Sequence, residues 1–423
     1  MSQNPNPDPT TPRLAGHEWP AVLLSAAFFF LVLGAYYVIR PVREQMGAAA
    51  GGSAVLPWIW LTVFVVMLAA TPLYGALVAK LSPRRFIPIV YAFFSVGMFL
   101  WAVYAPSDQP GAWLATAFYV WVGVFNLYVV AVFWSLMADL FVDEQAKRLF
   151  GPIAIGGTIG AMLGPLFAYK MVAIIGIPGL LITSGVMLLG CMPLTLALVN
   201  WSKQHGKRDA GHDNPIGGNL LAGAKATFSN QFLTRMALLL VLSDMISTVL
   251  YSLTSDVARH SYPDANARTQ FFASIDWASN GIQLVVQALL TRWMLMRLGS
   301  HVTLVVVALF NAVILAVLAF FGNSFWLVFA IISSRAFGYG IVQPARDALY
   351  TRVDREERYK AKSFIDTAVW RGGDTVASFG LRGVQLLGAT LGQIALIGVG
   401  FALVSAYLSR NVHQLRGLKP PQS

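Results

Sequence analysis

The chain has 423 residues, of which 57% are hydrophobic and only 12% charged. A soluble domain carries roughly twice that charged share, so a polytopic membrane protein is expected and soluble classes are excluded. The formal net charge of +11 reads as basic loops held on one side of a bilayer, because Lys and Arg are scattered among short loops; no nucleic acid is expected as a partner.

Residues 1–19, MSQNPNPDPTTPRLAGHEW, are polar and proline-rich. They lack the basic start and short apolar core of a cleaved signal peptide and are expected to form a disordered cytoplasmic tail. Apolar runs then recur, each near the roughly twenty residues that cross a bilayer. They cover 20–40, 55–79, 86–105, 112–138, 150–170, 177–200, 233–254, 269–292, 302–321, 325–346, 363–388 and 391–409. The fold class expected is an all-α membrane protein with twelve transmembrane helices in two six-helix pseudo-repeats.

Charges in alternate loops set the orientation. Lys80, Arg84 and Arg85 lie in one such loop, then Lys147 and Arg148, then Lys203, Lys207, Arg208 and Lys225. The same side takes Arg292 and Arg297, the run from Arg346 to Lys362, and finally Arg410, Arg416 and Lys419. By the positive-inside rule both termini are cytoplasmic, and an inner, cytoplasmic membrane is the expected location. Arg40 and Arg43 break the pattern, since they fall at the outer end of the first apolar run.

Residues 201–232 read as a cytoplasmic linker that separates an N-terminal bundle (20–200) from a C-terminal bundle (233–409), with a tail at 410–423. His205 and His212 in the linker are expected to be solvated, and Cys191 to be a small buried apolar residue. No metal site or cofactor is expected. The halves repeat: a short basic loop follows the second span of each, and a longer charged connection (138–151 and 345–364) follows the fourth. Matched loops in two six-span halves are a signature of secondary transporters.

The residues also carry a resemblance. Gly75, Lys80, Arg84 and Arg85 are similar to a loop motif of the major facilitator superfamily, with Ala79 at its usual acid and Ser82 at its second glycine. Gly151, Gly160, Gly164 and Pro165 fall at the spacing of a motif seen in that superfamily's exchangers, with Ala168 at its last glycine. Independently of any family, Gly156, Gly160 and Gly164 are four apart and let another helix approach closely.

Tyr36 to Glu44, Trp121 to Leu127, Phe133 to Ser135, Arg148 to Gly151, Lys360 to Asp366 and Arg371 to Asp374 resemble the ATP:ADP antiporter family of plastids and bacteria. That resemblance implies a major facilitator type exchanger of phosphorylated anions. The chain departs from the family at Phe125-Asn126-Leu127, where the fourth span usually carries an acid. Arg40 matches the family's basic position in the first span.

Ionisable groups inside a bilayer are expensive and usually face a watery cavity or a partner. Here they fall on the spans that line the cavity in the superfamily: Arg40, Asn126, Asp244, Asp276, Arg335, Asp366, Arg371 and Asp374. Arg40, Arg43, Asn126, Arg335 and Arg371 are the expected substrate ligands, because a guanidinium offers a fixed fork of donors to phosphate or carboxylate. Pro41 is expected to kink the first span or to bias Ile39 away from helix. Arg371, Asp374, Ser378 and Arg382 share one helix face.

Asp244, Asp276, Asp366 and Asp374 are expected to balance charge or to carry protons. Asp139, Lys147 and Arg148 on one side, and Glu356, Arg358 and Lys360 on the other, are expected to form an inner gate. Trp121, Trp134 and Trp370 read as packing residues before cavity-lining ones.

The chain contains no GxxxxGK[ST], HExxH or GxSxG motif, and no enzyme is expected. The functional expectation is a monomeric secondary transporter of a small anionic solute in the lipid bilayer, with nucleotide exchange first. The alternatives are a proton-coupled carrier of a drug, sugar derivative or cell-wall fragment, and a non-transporting membrane protein that handles lipid or a partner.

Overall fold

The computed structural model describes residues 18–80, 83–104, 110–141, 143–205, 220–350, 353, 361–362 and 364–414, without the side chains of 71–80, 83–85, 143–144, 146–147, 204–205, 220–223, 366–367 and 413. Among the described residues the regular structure is entirely helical. The first half comprises α1 (Trp19–Ala50), α2 (Leu56–Lys80), α3 (Pro83–Tyr104), α4 (Ala112–Leu140) and α5 (Asp143–His205). Helix α5 holds two spans. Gly176, at φ 66° and ψ −179°, breaks it. A Cβ on Gly34 of α1 would touch both Gly160 and Met187 of α5. These two residues would lie roughly 40 Å apart on a straight helix, so the arms run side by side.

A short α6 (Leu220–Ser229) leads into the second half. It comprises α7 (Gln231–Ser261), α8 (Ala265–Val286), α9 (Arg292–Arg297), α10 (Gly299–Phe321), α11 (Ser324–Phe337), α12 (Gln343–Tyr350), α13 (Trp370–Leu386) and α14 (Leu391–Arg410). Three π-helical turns, Gln287–Thr291, Gly338–Val342 and Ile365–Val369, join α8 to α9, join α11 to α12, and lead into α13. Counting α8–α9 and α11–α12 as one span each gives twelve spans in two sets of six.

Eight helical stretches are long and apolar enough by themselves to cross a membrane. The spans of α8 and α13, which carry Arg268 and Asp276, and Arg371, Asp374 and Arg382, are not among them. Local chemistry sets the helix starts. Asn230, Asp264 and Asn323 accept from the first backbone N–H groups of α7, α8 and α11, and Thr390 forms a capping box with Gln393. Large apolar side chains such as Trp113, Phe320 and Leu387 remain more than 80% exposed. Such a surface suits a multi-pass membrane protein and not one bathed in water.

The glycine face on α5 behaves as expected. A Cβ at Gly156 would run into the carbonyl of Ala26, and one at Gly160 would meet the Phe30 carbonyl at 2.5 Å. One at Gly164 would meet Tyr37 Cβ at 2.8 Å. Helices α1 and α5 are thus packed backbone to backbone. Across the molecule, α1 meets α7 and α8, α5 meets α8, and α2 meets α13. These seams bring the polar residues of the two halves together.

Candidate functional site

Helix α1 runs unbroken through Pro41 to Ala50, ten residues past the end of the apolar run. The first span therefore includes Arg40 and Arg43; they do not cap its end, and Ile39 is helical. The apolar run stops at Arg40 only because hydropathy counts a charge as a terminus, whereas a buried charge with partners can stay in the helix. By helix rise Arg40 lies about 15 Å from Ala50, the end distal to the chain termini.

Five charged side chains alternate in sign at this level. Arg43 Nη2 donates to Glu44 Oε1 at 2.5 Å, and Arg40 Nε lies 3.5 Å from the same oxygen. Arg40 Nε is also 3.6 Å from Asp276 Oδ2 on α8, and Arg335 Nη1 on α11 donates to Asp276 Oδ1 at 2.9 Å. Glu44 and Asp276 are 1% and 2% exposed.

Aromatic residues brace this row. The guanidinium of Arg43 sits 4.6 Å from the Tyr119 ring centre, and that of Arg335 sits 6.0 Å from Tyr251. The two phenol oxygens are 3.1 Å apart, Tyr251 donates to Glu44, and Trp60 donates to Tyr119 at 3.2 Å. The sequence pattern had not singled out Glu44, Tyr119 or Tyr251. Glu44 stands one turn after Arg40, and that i,i+4 spacing was the available signal.

A second cluster lies on α7 and α13. Trp370 Nε1 donates to Asp244 Oδ1 at 2.7 Å, and Thr248 Oγ1 donates to Asp374 Oδ1 at 2.9 Å. Arg371 is 3.7 Å from Asp374 on its own helix and belongs to this cluster, not to the arginine row. Asp244 Oδ2 is buried and has no hydrogen-bond partner. Trp370 thus binds a carboxylate and is more than a packing residue, whereas Trp121 and Trp134 pack against Phe94 and Phe29. Ser378 is buried and donates to the Thr375 carbonyl; Arg382 is half-buried on the same helix.

Asn126 is half-buried on α4, two turns from Tyr119. Asp366 lies in the π turn before α13, and its side chain, like that of Lys147 in α5, falls outside the described residues, as do Glu356, Arg358 and Lys360. Asp139 is exposed near the end of α4. Arg148 pairs at 3.1 Å with Glu18, a residue the sequence assigned to the tail; it is buried beneath α5. Among the described residues no group of three or more His, Cys, Asp or Glu side chains could hold a metal.

Polar bonds tie the halves at the distal and middle levels. The Ser53 backbone N–H donates to Asp256 at 2.8 Å, Ser53 Oγ to Gln385 at 3.1 Å, and Gln385 to Asp256 at 3.4 Å. Arg268 donates to Gln45 at 3.3 Å, and Asn280 to the Ala161 carbonyl at 2.7 Å. At the terminal end the pairs Arg148–Glu18 and Lys362–Asp347 each stay within one half.

A family description, Major Facilitator Superfamily, matches residues 22–378. The chain belongs to the Major Facilitator Superfamily. Membership points to a transporter of small solutes rather than to an enzyme. No curated protein matches the sequence. Similar solved structures include a bacterial homologue of the iron transporter ferroportin in an inward-facing state (TM-score 0.66, 13% identity, 95% of this chain and 100% of that one). They also include a bacterial homologue of the human lysosomal transporter Spinster, inward-facing and unoccupied (TM-score 0.63, 12% identity, 97% and 100%). A third is a point mutant of the nucleoside transporter NupG (TM-score 0.61, 17% identity, 93% and 99%). At these identities the likeness establishes the superfamily fold alone.

Proposed function

We propose that this superfamily member carries a small organic anion across the membrane by alternating access and binds it at Arg40, Arg43 and Arg335. The observation that supports this reading is the row of three arginines and two acids held between the halves, which leaves an excess of positive charge inside the bilayer. The latch around Ser53, Asp256 and Gln385 supports a form closed distally. With the basic loops on the cytoplasmic side, this distal latch would face away from the cytoplasm in an inner-membrane protein. Asn126, two turns from Tyr119 along α4, and Arg371 of the neighbouring cluster would meet the rest of the substrate.

Nucleotide exchange is the version suggested by the antiporter resemblance. Its test is uptake of radiolabelled ATP or ADP into proteoliposomes with and without internal ADP. That version requires acceleration by internal ADP, lost in Arg40→Gln; no uptake under either condition sinks it. The Asp244 and Asp374 cluster, two carboxylates against one nearby guanidinium, favours proton coupling as a second reading. A protonophore would then abolish uptake, whereas strict exchange would continue.

A further inference from the structure

We infer that the substrate of this site carries a single negative charge, as a carboxylate or a phosphodiester, and that Arg40 takes it. The inference rests on the anion-carrier reading and narrows it.

The hydrogen bonds divide the five charges into two pairs and a remainder. Arg43 donates to Glu44 and Arg335 donates to Asp276, each at 2.9 Å or less. Arg40 has two longer ionic contacts, 3.5 and 3.6 Å, and lies 5.5 Å from the Tyr37 ring centre; its Nε, like that of Arg43, is buried without a hydrogen-bond partner. Asp276 Oδ2, which faces it, likewise lacks one. Three guanidiniums stay charged at any physiological pH, and two carboxylates each lie between two of them, so the row sums to one positive charge. The neighbouring cluster adds no cation, because Arg371 already faces Asp374 and Asp244 stands beside it.

A low-dielectric site penalises every uncompensated charge, and each like-charge contact at close range costs several kcal/mol. One negative charge brings the loaded row to neutrality, the cheapest state to enclose and reorient within a bilayer. Two leave a net anion, and the three or four of ADP and ATP leave more. Arg40, which has no hydrogen-bonded acid of its own, presents a planar fork of donors to one oxyanion, and the two committed pairs hold it in place.

The test is a charge ladder. Thermal stability of the purified protein is measured at constant ionic strength with benzoate, phthalate and trimesate. A second ladder uses adenosine, cyclic AMP, AMP, ADP and ATP. The singly charged members are expected to stabilise the protein, with each added charge weakening half-saturation by about tenfold. Arg40→Gln should abolish the response. Glu44→Gln, which raises the row by one positive charge, should move the preference to the doubly charged members. A multiply charged ligand that binds as well as its singly charged relative, and through Arg40, would overturn the single-charge inference and leave the anion reading intact. Stabilisation by adenosine alone, or by no member of either ladder, would overturn both.

Discussion

Glu44 on α1 accepts the phenolic hydrogen of Tyr251 on α7, a bond between residues 207 positions apart that fastens one half of the protein to the other inside the bilayer. Because Glu44 also faces Arg40 and Arg43, its removal strands two guanidiniums. Glu44→Ala is expected to cost about 3–5 kcal/mol, as for a broken buried ion pair. Tyr251→Phe removes one hydrogen bond and should cost about 1–3 kcal/mol. Thermal unfolding of the two variants in one detergent would rank them, and the reverse order would contradict the role given to Glu44.

Asp276 accepts from Arg335 and faces Arg40, so the pair should behave as a unit. Asp276→Asn or Arg335→Gln alone should destabilise strongly, while the double variant should fall short of the sum by about 0.5–3 kcal/mol. The Lys362–Asp347 pair has the short distance of 2.7 Å, but its side chains are 40% and 43% exposed. Asp347→Asn should therefore change stability by less than about 1 kcal/mol. A double-mutant cycle with this surface control checks both statements.

The Ser53 turn is clamped onto Asp256 and Gln385 from the opposite half. Asp256→Ala should weaken the distal closure by about 1–3 kcal/mol and raise the population open on that side. Ala48 is fully buried against Ala258 and Phe272 of the other half, and the single native cysteine, Cys191, is buried too. Labelling of Ala48→Cys by a membrane-impermeant maleimide should accordingly rise in the Asp256→Ala background. Unchanged labelling would remove the latch from the account.

Gly160 leaves no room for a side chain against α1, whereas a Cβ at Gly151 would meet nothing within 4 Å. Gly160→Val should cost several kcal/mol through forced separation of the helices, more than ordinary overpacking at about 1–3 kcal/mol. Gly151→Ala should be neutral or stabilising by up to about 1 kcal/mol. The yield of monodisperse protein on size exclusion separates these outcomes.

The spans, the division into halves and the small-residue face of α5 were all legible in the sequence, because each rests on local periodicity. The arginines and acids were also legible as intramembrane charges. Partnership between helices was not legible. Glu44 sits past the last apolar residue of its run, so hydropathy placed it outside the span that contains it. Tyr119 and Tyr251 look like any core aromatics until helices from opposite halves bring their hydroxyls together. Arg371 was grouped with the other arginines as a substrate ligand, although its i,i+3 spacing from Asp374 on one helix face already made their pairing readable.

The three π turns give the repeat an unequal mechanics. Among the described residues all lie in the second half, and Thr291 in one donates to the Gly340 carbonyl in the next at 2.7 Å. A π turn disturbs the regular ladder and is a frequent site of bending. The first half has α1 and α5 packed backbone to backbone through glycine contacts. The second half carries these turns toward the end of the chain termini, two of them joined by that bond. Bending is therefore expected on the C-terminal side, at the π turns, before the glycine-packed seam of the first half.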